Sequence, residues 1–297
     1  MVHPAAASPE HAALAQQLRG VRLGTSSWAF PGWQGQVYRD RLSREALSSH
    51  GLMAYAAHPL LQTVSIDSSY YRVPPPGQLA RYAEQVPDSF RFVVKAPMSL
   101  AAARVRGQAS PHALSRAWVE AEWAPRLAEL GGKLGAVLLQ VPPQPADAFG
   151  PHFYERLASV LSVPLPWVVE VRTRGWVRED LAHVLRDTGA CPCLSIHPSL
   201  PDLRTQWRVL GVARASALHI RWNLAPGRTY EDAKAGFAPF DRLQAPDIDQ
   251  REALAKAIGW ALDRERPVWV VANNKAEGSA PATLWALAAC VGARRGA

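Results

Sequence analysis

Six side chains that close apolar stretches hold most of the chemistry legible in this chain: Asp67, Lys95, Gln140, Glu170, Arg172 and Arg221. They end the runs TVSID, FRFVVK, AVLLQ, WVVEVR and ALHIRW, and Asn273 and Asn274 end a further run, VWVVANN. Side chains alternate across a strand. Glu170 and Arg172 therefore share one face while Val169 and Val171 take the other. The same alternation groups Ser65 with Asp67, and His219 with Arg221. An ion on a face covered by helices would find no water and few partners. The ionic set is thus expected on the opposite face, looking into one shared hollow.

Three fixed cations and two carboxylates in one hollow leave a positive surplus. That suits a ligand bearing carboxylate, phosphate or sulfate, which Arg can grip with two parallel hydrogen bonds. Glu170, between Lys95 and Arg172, is expected to stay ionised and to act as a general base or as an orienter of the cations. The candidate catalytic groups are Glu170, Lys95 and Asp67. The candidate ligand contacts are Arg172, Arg221, Gln140, Asn273, Asn274, Trp28, Tyr71, Trp176 and His219. The structural alternative is an internal ion network that only holds strands in register, since a charge inside needs a partner whatever the function.

The elements that must position these groups repeat as strand then helix, eight times. Strands are expected at Val21–Thr25, Thr63–Asp67, Phe90–Lys95, Ala136–Gln140, Trp167–Arg172, Cys191–Ile196, Ala217–Trp222 and Val268–Ala272, with helix-length segments between most of them. Apolar strands that alternate with helices argue for a parallel sheet covered on both faces. The fold class is α/β: a single-domain TIM-type (β/α)₈ barrel over 21–297, with long loops after strands 1, 2 and 7. Residues 1–20 form a helical extension, with Ser8 as cap, Pro9 at the first helical position and Gly20 as stop. The rival, a doubly wound open sheet, would carry a glycine-rich turn after strand one. Here Gly24 stands alone before Thr25-Ser26-Ser27.

Aromatic residues crowd two loops: Trp28, Phe30, Trp33 and Tyr38 after strand one, Tyr70 and Tyr71 after strand two. They fit a wall that stacks on a ligand and equally a satellite core beneath long loops. His197 and His219 lack the paired spacing of a metal site, so no metal and no cofactor is expected. Asp67 and Glu170 could serve glycoside hydrolysis, but their cationic neighbours would hold both ionised where one must donate a proton. Neither a G-x-S-x-G elbow nor a P-loop occurs.

The net charge of +8 attracts polyanions as well as small anions, yet no dense Lys/Arg run exists. Three cysteines cannot form a disulfide framework, and reduced thiols point to the cytoplasm. No basic, then apolar, N-terminal leader and no membrane-length apolar stretch is present.

The motifs GTSSWAFPGW, SSYYRVPPP, FRFVVKAP, LLQVPP, VVEVRTRGW and VANNKAEGSAPA occur in the order of the YecE-like family, domain of unknown function seventy-two. The resemblance runs from about Gly24 to Ala289 and implies a TIM-like barrel with no established activity. The departures are specific. The family usually has Glu where Ser65 stands and Asn where Asp67 stands. It usually has a Thr-His pair where MSLAAAR follows strand three, and His-Gly where Asn223-Leu224 follow strand seven. Lys275 stands for a usual His and Thr283 for a usual Asn. This chain keeps the cations and loses several histidines and one carboxylate. The expected function is binding, or cofactor-independent turnover by proton abstraction, elimination or hydrolysis, of a small anionic molecule at the barrel mouth; enzymatic status is left open. The alternatives are a catalytically degenerate interaction protein that binds nucleic acid through its basic surface and, as a minor reading, a glycoside hydrolase-like enzyme. No membrane partner is expected, and the oligomeric state is unread.

Overall fold

Eight parallel strands follow one another around a closed barrel in the computed structural model, which describes residues 2–145, 147–224 and 227–296. They are β1 (Val21–Thr25), β2 (Leu61–Ile66), β3 (Arg91–Lys95), β4 (Leu134–Val141), β5 (Trp167–Val171), β6 (Cys191–Ile196), β7 (Leu218–Trp222) and β8 (Val268–Ala272). Each pairs with its sequence neighbours, and β8 returns to β1 in the register Val21↔Val268 to Thr25↔Ala272. The barrel expected from strand count and spacing is the one observed. Strand ends differ by a residue or two; Asp67, for instance, falls just past β2 in a short 3₁₀ turn.

Alternation sorts the apolar side chains into two cores. Phe92 and Val94, Val169 and Val171, and Ile220 and Trp222 pack outward against the helices. Val93, Ala136, Leu138, Val168, Cys191, Cys193, Trp269 and Val271 fill the barrel itself. Two glycines allow close approaches that a side chain would forbid. A Cβ on Gly24 would lie 2.1 Å from the Thr63 carbonyl oxygen, where β1 shifts register against β2. One on Gly135 would lie 2.3 Å from the Trp269 ring, which reaches across the barrel floor.

The joint between β5 and β6 is short. Pairing is confined to Val168↔Cys191 and Val169↔Pro192. Pro192 has no N–H to donate, and a proline inside a sheet interrupts the ladder. Above it, Gln206 of the helix Leu203–Val209 takes the place of a strand edge. Its Oε1 accepts from the Ser195 N–H at 2.9 Å, and its Nε2 donates to the Ser195 carbonyl at 2.9 Å.

Two features escape the sequence reading. The loop after β7 contains the helix Tyr230–Phe237, begun by a capping box of Thr229 and Asp232. A two-residue hairpin, Arg104–Val105 with Gln108–Ala109, follows β3. The N-terminal helix, Pro9–Gln17, is capped by Ser8 and buries Leu14. Among the described residues no helix is long and apolar enough to cross a membrane.

Candidate functional site

The carboxyl ends of the strands bring six of the candidate residues into one cluster. Arg221, from β7, pairs with Asp67 through Nη2 and Oδ2 at 3.0 Å, and its Nε lies 3.3 Å from Glu170 Oε2. Arg172 Nε lies 2.8 Å from Glu170 Oε1, and its Nη2 donates to Gln140 Oε1 at 3.4 Å. Gln140 and Glu170 are direct neighbours in the β4–β5 register. At both Nε atoms the N–H is poorly aligned with the carboxylate, and Glu170 Oε2 accepts no hydrogen bond. These contacts act by charge more than by directed bonding.

Glu170 is 1 % exposed. Its Oε1 accepts from Ser195 Oγ at 2.5 Å and from Asn223 Nδ2 at 3.2 Å. Burial pushes its pKa up, but Arg172, Arg221, the Ser195 hydroxyl and Lys95 together bring it below the ordinary carboxylate range. The same opposition acts on Asp67: burial raises it, and Arg221, Lys95 and the Ser65 hydroxyl, which donates at 2.5 Å, lower it. Burial works against the Arg221 charge, and Asp67 and Glu170 more than offset it. Both carboxylates are therefore anions, each engaged by arginine.

Lys95 differs. Its Nζ sits 3.8 Å from the centre of the Tyr70 ring, a cation–π contact. No described residue hydrogen-bonds it or forms an ion pair with it. Burial lowers its pKa to about 8; Asp67 and Glu170 pull upward, and Arg221 and Arg172 pull down. Lys275, where relatives are expected to have histidine, sits 4.2 Å from the centre of the Tyr230 ring and 3.4 Å from Asn273 Oδ1.

The remaining candidates sit elsewhere or do other work. Asn273 donates to Ser26 Oγ at 2.9 Å. Asn274 Oδ1 accepts from the Trp33 indole and the Ala280 N–H, bracing the last loop and helix. Trp28 and Trp176 are packed into the core. The Trp28 indole donates to the Leu47 carbonyl and its ring meets Tyr82 edge-on, while Trp176 stacks on Phe153. Tyr71 is 80 % exposed, with its ring edge-on to that of Tyr70 at 5.4 Å. His219 shares the inward face of Arg221 but lies deeper, stacked on Trp269 at 5.7 Å. Ser195 and Asn223 were missed as site residues, although Ser195 continues the inward parity of Cys191 and Cys193. Among the described residues no three His, Cys, Asp or Glu side chains gather as a metal site would require.

The buried histidines predict an acid response. Burial pushes His219 down to about 3 and, with help from His11, His58 down to about 4. The fold keeps both neutral, whereas the unfolded chain protonates them below about 6.5. Their contribution is complete above that pH and is lost as pH falls toward 4, by about 1.4 kcal/mol per pH unit for each group. The urea midpoint should fall from pH 6.5 to 4.5, and His219→Gln should flatten that slope by about one proton. An unaltered slope in the variant would remove His219 from this account.

A family model described as a protein of unknown function, DUF72, matches residues 22–297. Among curated proteins the chain has no significant match. Among solved structures it is similar to a DUF72 family protein from Enterococcus faecalis, with 20% identity over 91% of this chain and 95% of that one, and a TM-score of 0.67. A DUF72 family protein from Thermotoga maritima is also similar, at 20% identity over 93% of this chain and 99% of that one, with a TM-score of 0.61. At such identities the likeness carries the fold alone.

Proposed function

The chain belongs to the DUF72 family of proteins of unknown function, and from that premise we propose that it binds a small anionic molecule at the C-terminal mouth of its barrel, with Lys95 as the central contact. The observation that carries this reading is the isolation of Lys95. It is 7 % exposed and has no ion-pair partner among the described residues, while Asp67 and Glu170 are engaged by arginine. Asp67 and Glu170 act on this ammonium only from beyond ion-pair distance, so a ligand oxyanion in direct contact would supply the partner that it lacks.

The other groups divide by their commitments. Arg221 is taken up by Asp67 and Glu170 and acts as a positioning residue. Arg172 has donors left beyond Glu170 and Gln140 for a second ligand oxygen. If the bound molecule is turned over, Lys95 in its ammonium form protonates a leaving group or stabilises developing negative charge, as an elimination or hydrolysis requires. Glu170 is a poor base with its charge spent on two guanidinium groups. Glycoside hydrolysis is disfavoured because neither carboxylate retains the proton that a general acid must give.

The test is a calorimetric titration of sulfate and of benzoate, whose charges are constant across the range, from pH 6.5 to 9.5. Affinity should hold below about 8 and then fall by up to about tenfold per pH unit as Lys95 loses its proton. Flat affinity across that range would refute Lys95 as the contact.

A further inference from the structure

The opposite end of the barrel carries a separate set of unsatisfied groups. A cavity of about 420 Å³ opens among the amino ends of the strands, lined by Arg22, Arg91, Cys191, Ser216, His219 and Trp269. That volume is within the usual range for small-molecule sites, about 300–1,000 Å³. No aspartate or glutamate lines it.

The two arginines are not neutralised by the protein. The Arg22 side chain makes no hydrogen bond or ion pair among the described residues, and its Nε is buried without a partner. Its guanidinium carbon lies 4.9 Å from the centre of the Trp269 ring, its one evident support. Burial, then the neighbouring Arg91, works against the Arg22 charge. Arg91 is tied by Nη1 to the backbone carbonyls of Asp88 and Phe90, which fix its direction without cancelling its charge. His219, only 7 % exposed, has no hydrogen-bond partner among the described residues and faces the same space. Like charges left facing each other in a partly desolvated hollow destabilise the fold. Packing alone does not require them here: Gly135 already admits the Trp269 ring that closes the floor.

We propose that this cavity is a second anion-binding site, for a small molecule that carries one phosphate or carboxylate group. The guanidinium groups of Arg22 and Arg91 hold the oxyanion, and His219 supplies a neutral hydrogen bond. The site is distinct from the mouth. Val93 lies between Arg91 and Lys95, and Val271 between Trp269 and Asn273, in the apolar fill of the barrel.

The test uses Lys95→Met protein, in which the mouth has lost its central contact, titrated with inorganic phosphate and with benzoate. At least one probe should bind and raise the melting temperature, and the better of the two identifies the oxyanion class. Adding Arg22→Met or Arg91→Met should weaken that binding about tenfold or more. The Arg22 side chain donates to no described residue, and its main chain keeps its β1–β8 pairing in the variant, so its replacement leaves the fold intact; Arg91→Met gives an independent check. Binding of neither probe to Lys95→Met protein would overturn the proposal, as would affinity unchanged by both arginine substitutions. Loss of the mouth site alone leaves these outcomes untouched, so the two sites stand or fall separately.

Discussion

Glu170→Gln is expected to remove about 3–5 kcal/mol of stability at neutral pH, the usual cost of breaking a buried ion pair from one side. Glutamine keeps the volume and can keep the contacts with Ser195 and Asn223. What it removes is the charge opposite Arg172 Nε at 2.8 Å and Arg221 Nε at 3.3 Å. Arg221 retains Asp67, and among the described residues the Arg172 side chain retains only Gln140. The pH dependence supplies an internal control. The Glu170 pKa is lower in the fold than in the unfolded chain, so its contribution is present above the ordinary carboxylate range. It is lost as pH falls through the lowered value. Wild type and variant should therefore differ most near pH 7 and converge in acid. Urea unfolding at the two ends of that range decides the matter; a loss under about 1 kcal/mol at pH 7 would mean that the arginines do not need this carboxylate.

Lys95→Met is expected to act in the opposite sense on stability while abolishing anion binding at the mouth. Its folded pKa, about 8, lies below the 10.5 of an ordinary lysine. Keeping the ammonium charged in the fold costs about 3 kcal/mol below pH 8, partly returned through the Tyr70 ring. Methionine fills similar space without charge, so a gain of about 1–3 kcal/mol is expected. The gain should shrink between pH 8 and 10.5, where the native lysine is already neutral and the unfolded one is not. Above that it should vanish. A variant less stable than wild type at pH 7 would mean that Lys95 is held by the protein rather than held in reserve for a ligand.

The barrel and the ionic cluster were legible because two simple periodicities constrain them. Strand–helix alternation specifies a parallel barrel, and the two-residue alternation within strands assigns Lys95, Gln140, Glu170 and Arg221 to its interior. Parity says nothing of height, so His219 was grouped with Arg221 although it stacks on the floor with Trp269. It also says nothing about loops. A ligand wall and a satellite core suit Trp28 and Trp176 equally on sequence, because their burial depends on Leu47, Tyr82 and Phe153, which no local pattern connects to them. The helix Tyr230–Phe237 buries only Ala233 and Phe237, too little to give a periodic signal. Parity puts Ser195 on the inward face but, like Asn223, it is small and neutral, and the contact with Glu170 reveals the role of both.

The short pairing between β5 and β6 bears on how such a barrel can diversify. Elsewhere the circumference is set by main-chain ladders, which cannot be altered one residue at a time. Beside Glu170 it is set by a proline and one glutamine side chain. Single substitutions at positions 192 and 206 can thus widen or narrow the aperture while the other seven joints stay as they are. Descendants of this chain can resize what they admit without redesigning the cylinder.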